Sequence, residues 1–157
     1  MLDLTHRLRD HVAPLKLVDV GAMALGPTQY DVLLDLGIAE VIGFEPQADE
    51  CDKLNASARP GCRYLPYAIG DGTERTFHLA RASYTSSLYP PNQKLNELFN
   101  VRANGVVPLS ELTAVEREWK VETRRLDDLP ELRGADYLKL DIQGAELDVL
   151  RGAKELL

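Results

Sequence analysis

Four short runs in this chain put a carboxylate or a glycine where an apolar segment gives way to a loop. They are Val18-Asp19-Val20-Gly21-Ala22-Met23, Gly43-Phe44-Glu45-Pro46, Ala68-Ile69-Gly70-Asp71-Gly72 and Leu140-Asp141-Ile142-Gln143-Gly144. A glycine at such a junction lets backbone approach a ligand closely, or simply tightens a turn. Gly21 admits both readings. A glutamate ending a strand roughly 20 residues after a glycine bend can accept hydrogen bonds from both hydroxyls of a ribose. Glu45 stands at that distance from Gly21. It could instead be an acid that complements the dipole of the helix it precedes. Apolar Ala68 and Ile69 could pack on a planar base, whereas Asp71 reads as a turn residue. A carboxylate such as Asp141 can accept a proton, orient a substrate or stabilise a nearby cation. Lys139, two residues earlier on the same strand face, is placed to pair with Asp141 and keep it ionised.

The glycine spacing limits the ligand. Gly21 and Gly26 are the only glycines of the first loop, so the G-x-G-x-x-G pattern is missing. A pyrophosphate usually needs that fuller set. A nicotinamide or flavin dinucleotide is therefore disfavoured, and an oxidoreductase on a dinucleotide-binding fold is the lesser alternative.

The elements that must position these residues follow from hydrophobic patterning. Leu4, Leu8 and Val12 recur at helical spacing, with Asp3 or Thr5 as cap and Pro14 as stop,. Residues 15–20 form an apolar, branched run typical of a buried strand. A helix after Pro27 places Tyr30, Leu33, Leu34 and Leu36 inward and ends at Gly37. A second strand at 41–44 leads to a helix over 48–58, and a third strand covers 62–69. Alternation of this kind predicts parallel strands joined by crossover helices. Then the pattern changes. Phe77 and Leu79 alternate with polar neighbours, residues 82–104 read as loop with one short helix at 95–99, and from Val115 the period is two. Val115, Trp119, Val121 and Thr123 share one face of a strand expected to pair with the one at Phe77. Residues 73–126 are thus expected to be an insertion within a single domain over 1–157. A last strand at 137–142 and a helix whose inner face carries Leu147, Leu150, Ala153 and Leu157 complete the pattern. Glu146 opens that helix as a dipole-compensating acid.

Composition bounds the function. The chain has 157 residues, 45% of them hydrophobic, and a formal net charge of −7. A core is within reach of one domain of this size, and the acidic balance argues against nucleic acid as partner. No apolar run approaches the roughly 20 residues of a membrane span. The N-terminus, with His6, Arg7, Arg9, Asp10 and His11 and no apolar stretch behind them, does not resemble a secretory signal. Cys51 and Cys62 lack CxxC spacing, and a reduced, cytoplasmic chain is expected. His6, His11 and His78 lack metal-ligand spacing and are expected at the surface; no metal is expected.

In this order the runs "LVDVGA", "VIGFEP", "YAIGDG", "RRLDDL" and "DYLKLDIQGAELDVLRGA" resemble the FkbM-like methyltransferases. The resemblance spans Leu17 to Ala153, and its last run is the most specific. It implies an α/β, Rossmann-like three-layer sandwich with a mainly parallel sheet and an antiparallel β insertion between the third and fourth core strands. It also implies S-adenosylmethionine as cofactor and methyl transfer to a hydroxyl on a small molecule, sugar or lipid. The cofactor-binding set is then Asp19, Gly21, Ala22, Met23, Glu45, Pro46, Ala68, Ile69 and Asp141. Asp19 to Ala22 cradle the methionine part, Glu45 holds the ribose, and Asp141 is the catalytic candidate. Ser86-Ser87-Leu88 resembles the family's Ser-Ser-Leu stretch, a lid or substrate wall, or an ordinary polar loop. Gln143 stands where the family often has glutamate. The resemblance further implies a seven-stranded sheet of which four strands are found here. The chain is expected to be truncated after the fourth, with its C-terminal strands missing. The exposed edge would permit self-association, and a non-catalytic cofactor-binding fragment is the nearest alternative function.

Overall fold

The computed structural model describes residues 11, 13–23, 26–102 and 106–157; the helix expected at Leu4, Leu8 and Val12 lies outside the described residues. Three strands open the fold: β1 (Leu15–Val20), β2 (Ala39–Phe44) and β3 (Cys62–Leu65). The helices between them are α1 (Asp31–Asp35) and α2 (Ala48–Ala56), each shorter than its sequence pattern suggests. The last strand described, here β9 (Tyr137–Leu140), returns to the far side of β1. All four are parallel, in the order β3-β2-β1-β9. The architecture is α/β with a mainly parallel sheet.

Side chains of β1 alternate between two cores, as the pleat requires. Val18 and Val20 join Phe44, Leu126, Leu132 and Val149 on one face. Leu17 joins Tyr30, Leu34 and Val41 on the other. A parallel sheet covered on both faces explains why its strands read as continuous apolar runs rather than alternating ones.

The single strand expected over 62–69 is two. Pro66 lacks an N–H and cannot continue the ladder beside β2. The chain turns there, with the Tyr67 N–H donating to the Leu65 carbonyl at 2.9 Å. Beyond the turn, β4 (Ala68–Ile69) joins a second sheet with β5 (Glu74–Ala80) and β8 (Val115–Arg124), in the order β4-β8-β5. The expected β5–β8 pairing is present and antiparallel, with Phe77 opposite Trp119 and His78 opposite Glu118. Between these strands the helix α3 (Gln93–Asn96) is capped by Asn92, whose side chain accepts from the Leu95 N–H at 3.1 Å. β6 (Asn100–Arg102), in sequence expected as loop, pairs with β7 (Val106–Pro108), and α4 (Leu109–Leu112) follows.

The final helix, α5 (Glu146–Arg151), is turned from its expected orientation. Leu147 is 57% and Leu150 39% exposed, while Ala145, Asp148, Val149 and Ala153 are buried. The buried set keeps the 3.6-residue period with small residues, and those let the helix sit close to the sheet. Asp148 is buried because three donors reach it: the Tyr89 hydroxyl at 2.7 Å, and Arg75 and Arg151 at 3.3 Å each. After the helix, the Asp127 carboxylate accepts the N–H groups of Lys154, Glu155 and Leu156 at 3.0–3.1 Å, with Arg125 at 2.9 Å. Burial pushes this carboxyl up, but the Glu155 and Leu156 amides and the Arg125 charge outweigh it and hold it below the usual range,.

Candidate functional site

The carboxyl ends of β1 and β2, the segment after β9, and β4 with the loop after β5 enclose one cleft. It encloses about 650 Å³ with its open mouth included. Gly21 and Met23 come to it from the bend after β1, Glu45 and Pro46 from the end of β2, Ala68 and Ile69 from β4, and Asp141 from the end of β9. Seven of the nine expected cofactor residues therefore meet in one place. Gly21 and Glu45 share a wall-lined gap that is not filled by packing.

The bend is specified by the protein's own backbone. Gly21 has φ of +83°, and a Cβ there would lie 2.2 Å from the Asp141 carbonyl oxygen. The glycine is thus required where β1 and β9 end side by side, whatever ligand the cleft holds. The N–H groups of Gly21 and Ala22 both donate to the Phe44 carbonyl at 3.1 Å, so neither is offered to a ligand.

Glu45 is buried, at 3% exposure, yet lines the cleft. Its Oε1 accepts from the Gln47 N–H at 2.8 Å and the Gln47 amide at 3.2 Å. Its Oε2 has no hydrogen-bond partner among the described residues. Burial raises the Glu45 carboxyl above the usual glutamate range, only partly offset by the Gln47 donors,. A buried carboxylate with a vacant acceptor on a cleft wall suits a ligand that brings hydroxyl donors.

Two expected residues lie behind the cleft rather than on it. Asp19 is buried, with Oδ1 held by Lys139 Nζ at 2.8 Å and Oδ2 by the Tyr30 hydroxyl at 2.6 Å. Ala22 packs against β2 near Gly43, where an added Cβ would come 2.9 Å from the Ala22 Cβ. The expected Lys139–Asp141 pair does not form. Lys139 sits opposite Asp19 in the β1–β9 register, and the nearer carboxylate takes it. Asp141 instead accepts from the Gln143 amide at 3.2 Å. Glu146 caps its own helix start, accepting from the Gly144 N–H at 2.9 Å, and Asp71 serves its turn by accepting from Thr73 and Arg75.

A profile described as the methyltransferase FkbM domain matches residues 19–157. The chain belongs to the FkbM methyltransferase family. Two curated relatives agree. A 2-O-methyltransferase named NoeI from Sinorhizobium fredii (strain NBRC 101917 / NGR234) is 37% identical over 132 residues, covering 76% of this chain and 49% of that protein. A protein named Methyltransferase 1 from Beauveria bassiana (strain ARSEF 2860) is 38% identical over 71 residues, covering 43% of this chain and 27% of that protein. The chain therefore spans about half the length of the first and about a quarter of the second. No solved structure matches it significantly.

Within this FkbM domain, the Ser-Ser-Leu run is a cleft wall: Ser86, Ser87 and Leu88 all line it. Sequence reasoning missed Gln47, Tyr67 and Tyr84, which line it too. Tyr67 stacks on Phe44 with ring centroids 6.3 Å apart, and the Arg124 guanidinium lies 3.7 Å over its ring. The signal for Tyr67 was its position after Pro66, which takes the chain out of β3 and across the cleft. No helix of the described residues is long and apolar enough to cross a membrane.

Proposed function

We propose that this cleft binds S-adenosylmethionine and that the protein transfers its methyl group to a hydroxyl oxygen of a small molecule, sugar or lipid. The observation that carries the reading is the meeting of Gly21, Glu45 and Asp141 at the carboxyl ends of parallel strands, where such folds bind ligands, with Ala68 and Ile69 of β4 on the same cleft. The residues suit the cofactor. The vacant Oε2 of Glu45 is an acceptor for ribose hydroxyls, and Ala68, Ile69 and Tyr67 provide apolar surface for the base. No lysine or arginine lines the cleft among the described residues, and the Gly21 and Ala22 amides are already used. A pyrophosphate would find few donors here, which disfavours a nicotinamide cofactor. The name of the Sinorhizobium relative supports oxygen as the methylated atom.

The bound cofactor supplies a methyl group already activated for attack, so the chain's task is orientation and exclusion of water. Glu45 would fix the ribose, and the Gly21 bend, its amides already used, would shape the cleft wall beside the amino-acid part. Asp141, exposed at the end of β9, accepts the acceptor's hydroxyl proton or holds that hydroxyl in line. Asp19 acts from behind: pinned by Lys139 and Tyr30, it fixes the strand from which the bend departs.

Calorimetry with S-adenosylhomocysteine tests the cofactor assignment without needing the acceptor. Wild type is expected to bind. Glu45→Ala is expected to bind about ten- to a hundredfold more weakly, the worth of one or two hydrogen bonds to a charged group. Equal affinity for the two proteins would remove Glu45, and with it the assigned pose.

A further inference from the structure

A second cleft adjoins the first and shares Ser87 with it. It encloses about 780 Å³ with its open mouth included. Successive residues of β5 serve the two: Phe77 lines the first, His78 the second. Contrary to expectation, His78 is not a surface residue but 9% exposed. Its Nδ1 lies 2.7 Å from Glu118 Oε1, across the β5–β8 pairing. That contact fixes the ring and leaves Nε2 without a hydrogen-bond partner among the described residues. His78 itself lines the second cleft.

The partition between the clefts is built, not incidental. Backbone hydrogen bonds tie His78 to Ser87 in both directions, at 2.8 and 3.2 Å. The Ser87 hydroxyl donates to the Gln143 carbonyl at 2.8 Å. Gln143 is the single non-glycine residue with positive φ among those described, at +59°. A non-glycine backbone held in so sparsely populated a region is over-determined by its surroundings, a pattern that concentrates at ligand sites. From there Gln143 lines the second cleft while its amide reaches Asp141 of the first.

We infer that the second cleft is the acceptor subsite and that it takes a sugar or a similarly polyhydroxylated acceptor. The inference rests on the first cleft holding the cofactor. Three groups around it, His78 Nε2, Gln143 Oε1 and Asn96 Oδ1, have no partner among the described residues and supply separate hydrogen-bonding positions. Tyr89, whose hydroxyl is tied to Asp148 at 2.7 Å, offers a fixed ring for the C–H face of a pyranose. No ammonium or guanidinium lines this cleft among the described residues, so a phosphorylated or carboxylated acceptor is not the match.

Amide NMR on the 15N-labelled chain tests this with two probes. S-adenosylhomocysteine is titrated first, then a set of methyl hexopyranosides in its presence. The expected result is that the nucleoside shifts Gly21, Glu45 and Ile69, and that at least one glycoside shifts His78, Asn96 and Gln143. His78→Phe and Asn96→Leu, each checked for a native spectrum, are each expected to weaken the glycoside about fivefold or more, one lost hydrogen bond. S-adenosylhomocysteine affinity is expected to stay within about twofold. Nucleoside shifts at the first cleft with no glycoside shift at the second would overturn this inference alone. Shifts at the second cleft from p-nitrophenol but from no glycoside would overturn the sugar assignment. Failure of S-adenosylhomocysteine to shift the first cleft would overturn both readings.

Discussion

Removing Lys139 should cost stability in a way that only a buried partner can explain. Its ammonium holds Asp19 Oδ1 at 2.8 Å, and the Asp19 side chain is 3% exposed against 21% for Lys139. Lys139→Met leaves a buried carboxylate with one neutral donor, the Tyr30 hydroxyl at 2.6 Å. Breaking a buried pair typically costs about 3–5 kcal/mol. Here Lys139 is partly open to water and Tyr30 remains, which reduces the expected loss to about 2–3 kcal/mol. For a chain of this length that is a fall in Tm of roughly 4–12 °C. Asp19→Asn alone should cost less, because the freed Lys139 can reach solvent. The double variant, with no buried charge, should be more stable than Lys139→Met, giving a coupling of about 1–2 kcal/mol.

Urea denaturation followed by far-UV circular dichroism and by the fluorescence of Trp119, the chain's one tryptophan, measures these differences. Coincident transitions would justify a two-state treatment. A Lys139→Met variant within about 0.5 kcal/mol of wild type would refute the claim that this pair pins β9 to β1, since that is the scatter of ordinary surface changes. The cycle also separates two roles for Asp19. If it works through the Gly21 bend, the double variant binds S-adenosylhomocysteine within about threefold of wild type. A tenfold loss in a stable double variant would mean that Asp19 touches the ligand.

Three further outcomes follow from other positions. Gly21→Ala combines a left-handed backbone with a Cβ 2.2 Å from the Asp141 carbonyl oxygen, so about 3–5 kcal/mol of stability is expected to go; unchanged thermal melting would show that the bend can move. Asp127→Ala removes the acceptor of three backbone N–H groups and should lower stability by about 2–3 kcal/mol. The wild-type contribution from Asp127 is present above the unfolded carboxyl pKa and fades as pH falls towards the depressed folded value,, so the gap between the two proteins should close in acid denaturation curves. Glu45 has the opposite sign. Its raised carboxyl favours the unliganded fold at low pH, and ribose donors favour its ionised form, so S-adenosylhomocysteine binding at mildly acidic pH should release protons. Calorimetry in buffers of different ionisation enthalpy reads that number directly, and no buffer dependence would argue that Glu45 does not meet the ligand.

The parallel strands and the ends from which the site grows were legible because both faces of that sheet are buried, and burial writes itself into sequence as branched apolar runs. Contacts between strands were less legible, since they depend on register. Lys139 and Asp141 are near in sequence, but parallel pairing sets Lys139 beside Asp19, 120 residues away. Pro66 marked a break that the apolar run around it concealed, and that break sends Ala68 and Ile69 into the second sheet and still onto the cleft. In α5 the large leucines suggested one inner face while the small residues and a fully bonded Asp148 formed the other, because close packing on a sheet rewards small volume over hydrophobicity. The consequence for the site is a division of labour within its most recognisable motifs. Asp19, the Gly21 backbone, Ala22 and Asp127 are spent on holding the frame. Glu45 Oε2 in the first cleft, and His78 Nε2, Gln143 Oε1 and Asn96 Oδ1 around the second, have no partner among the described residues, and the recognition proposed above would fall on them.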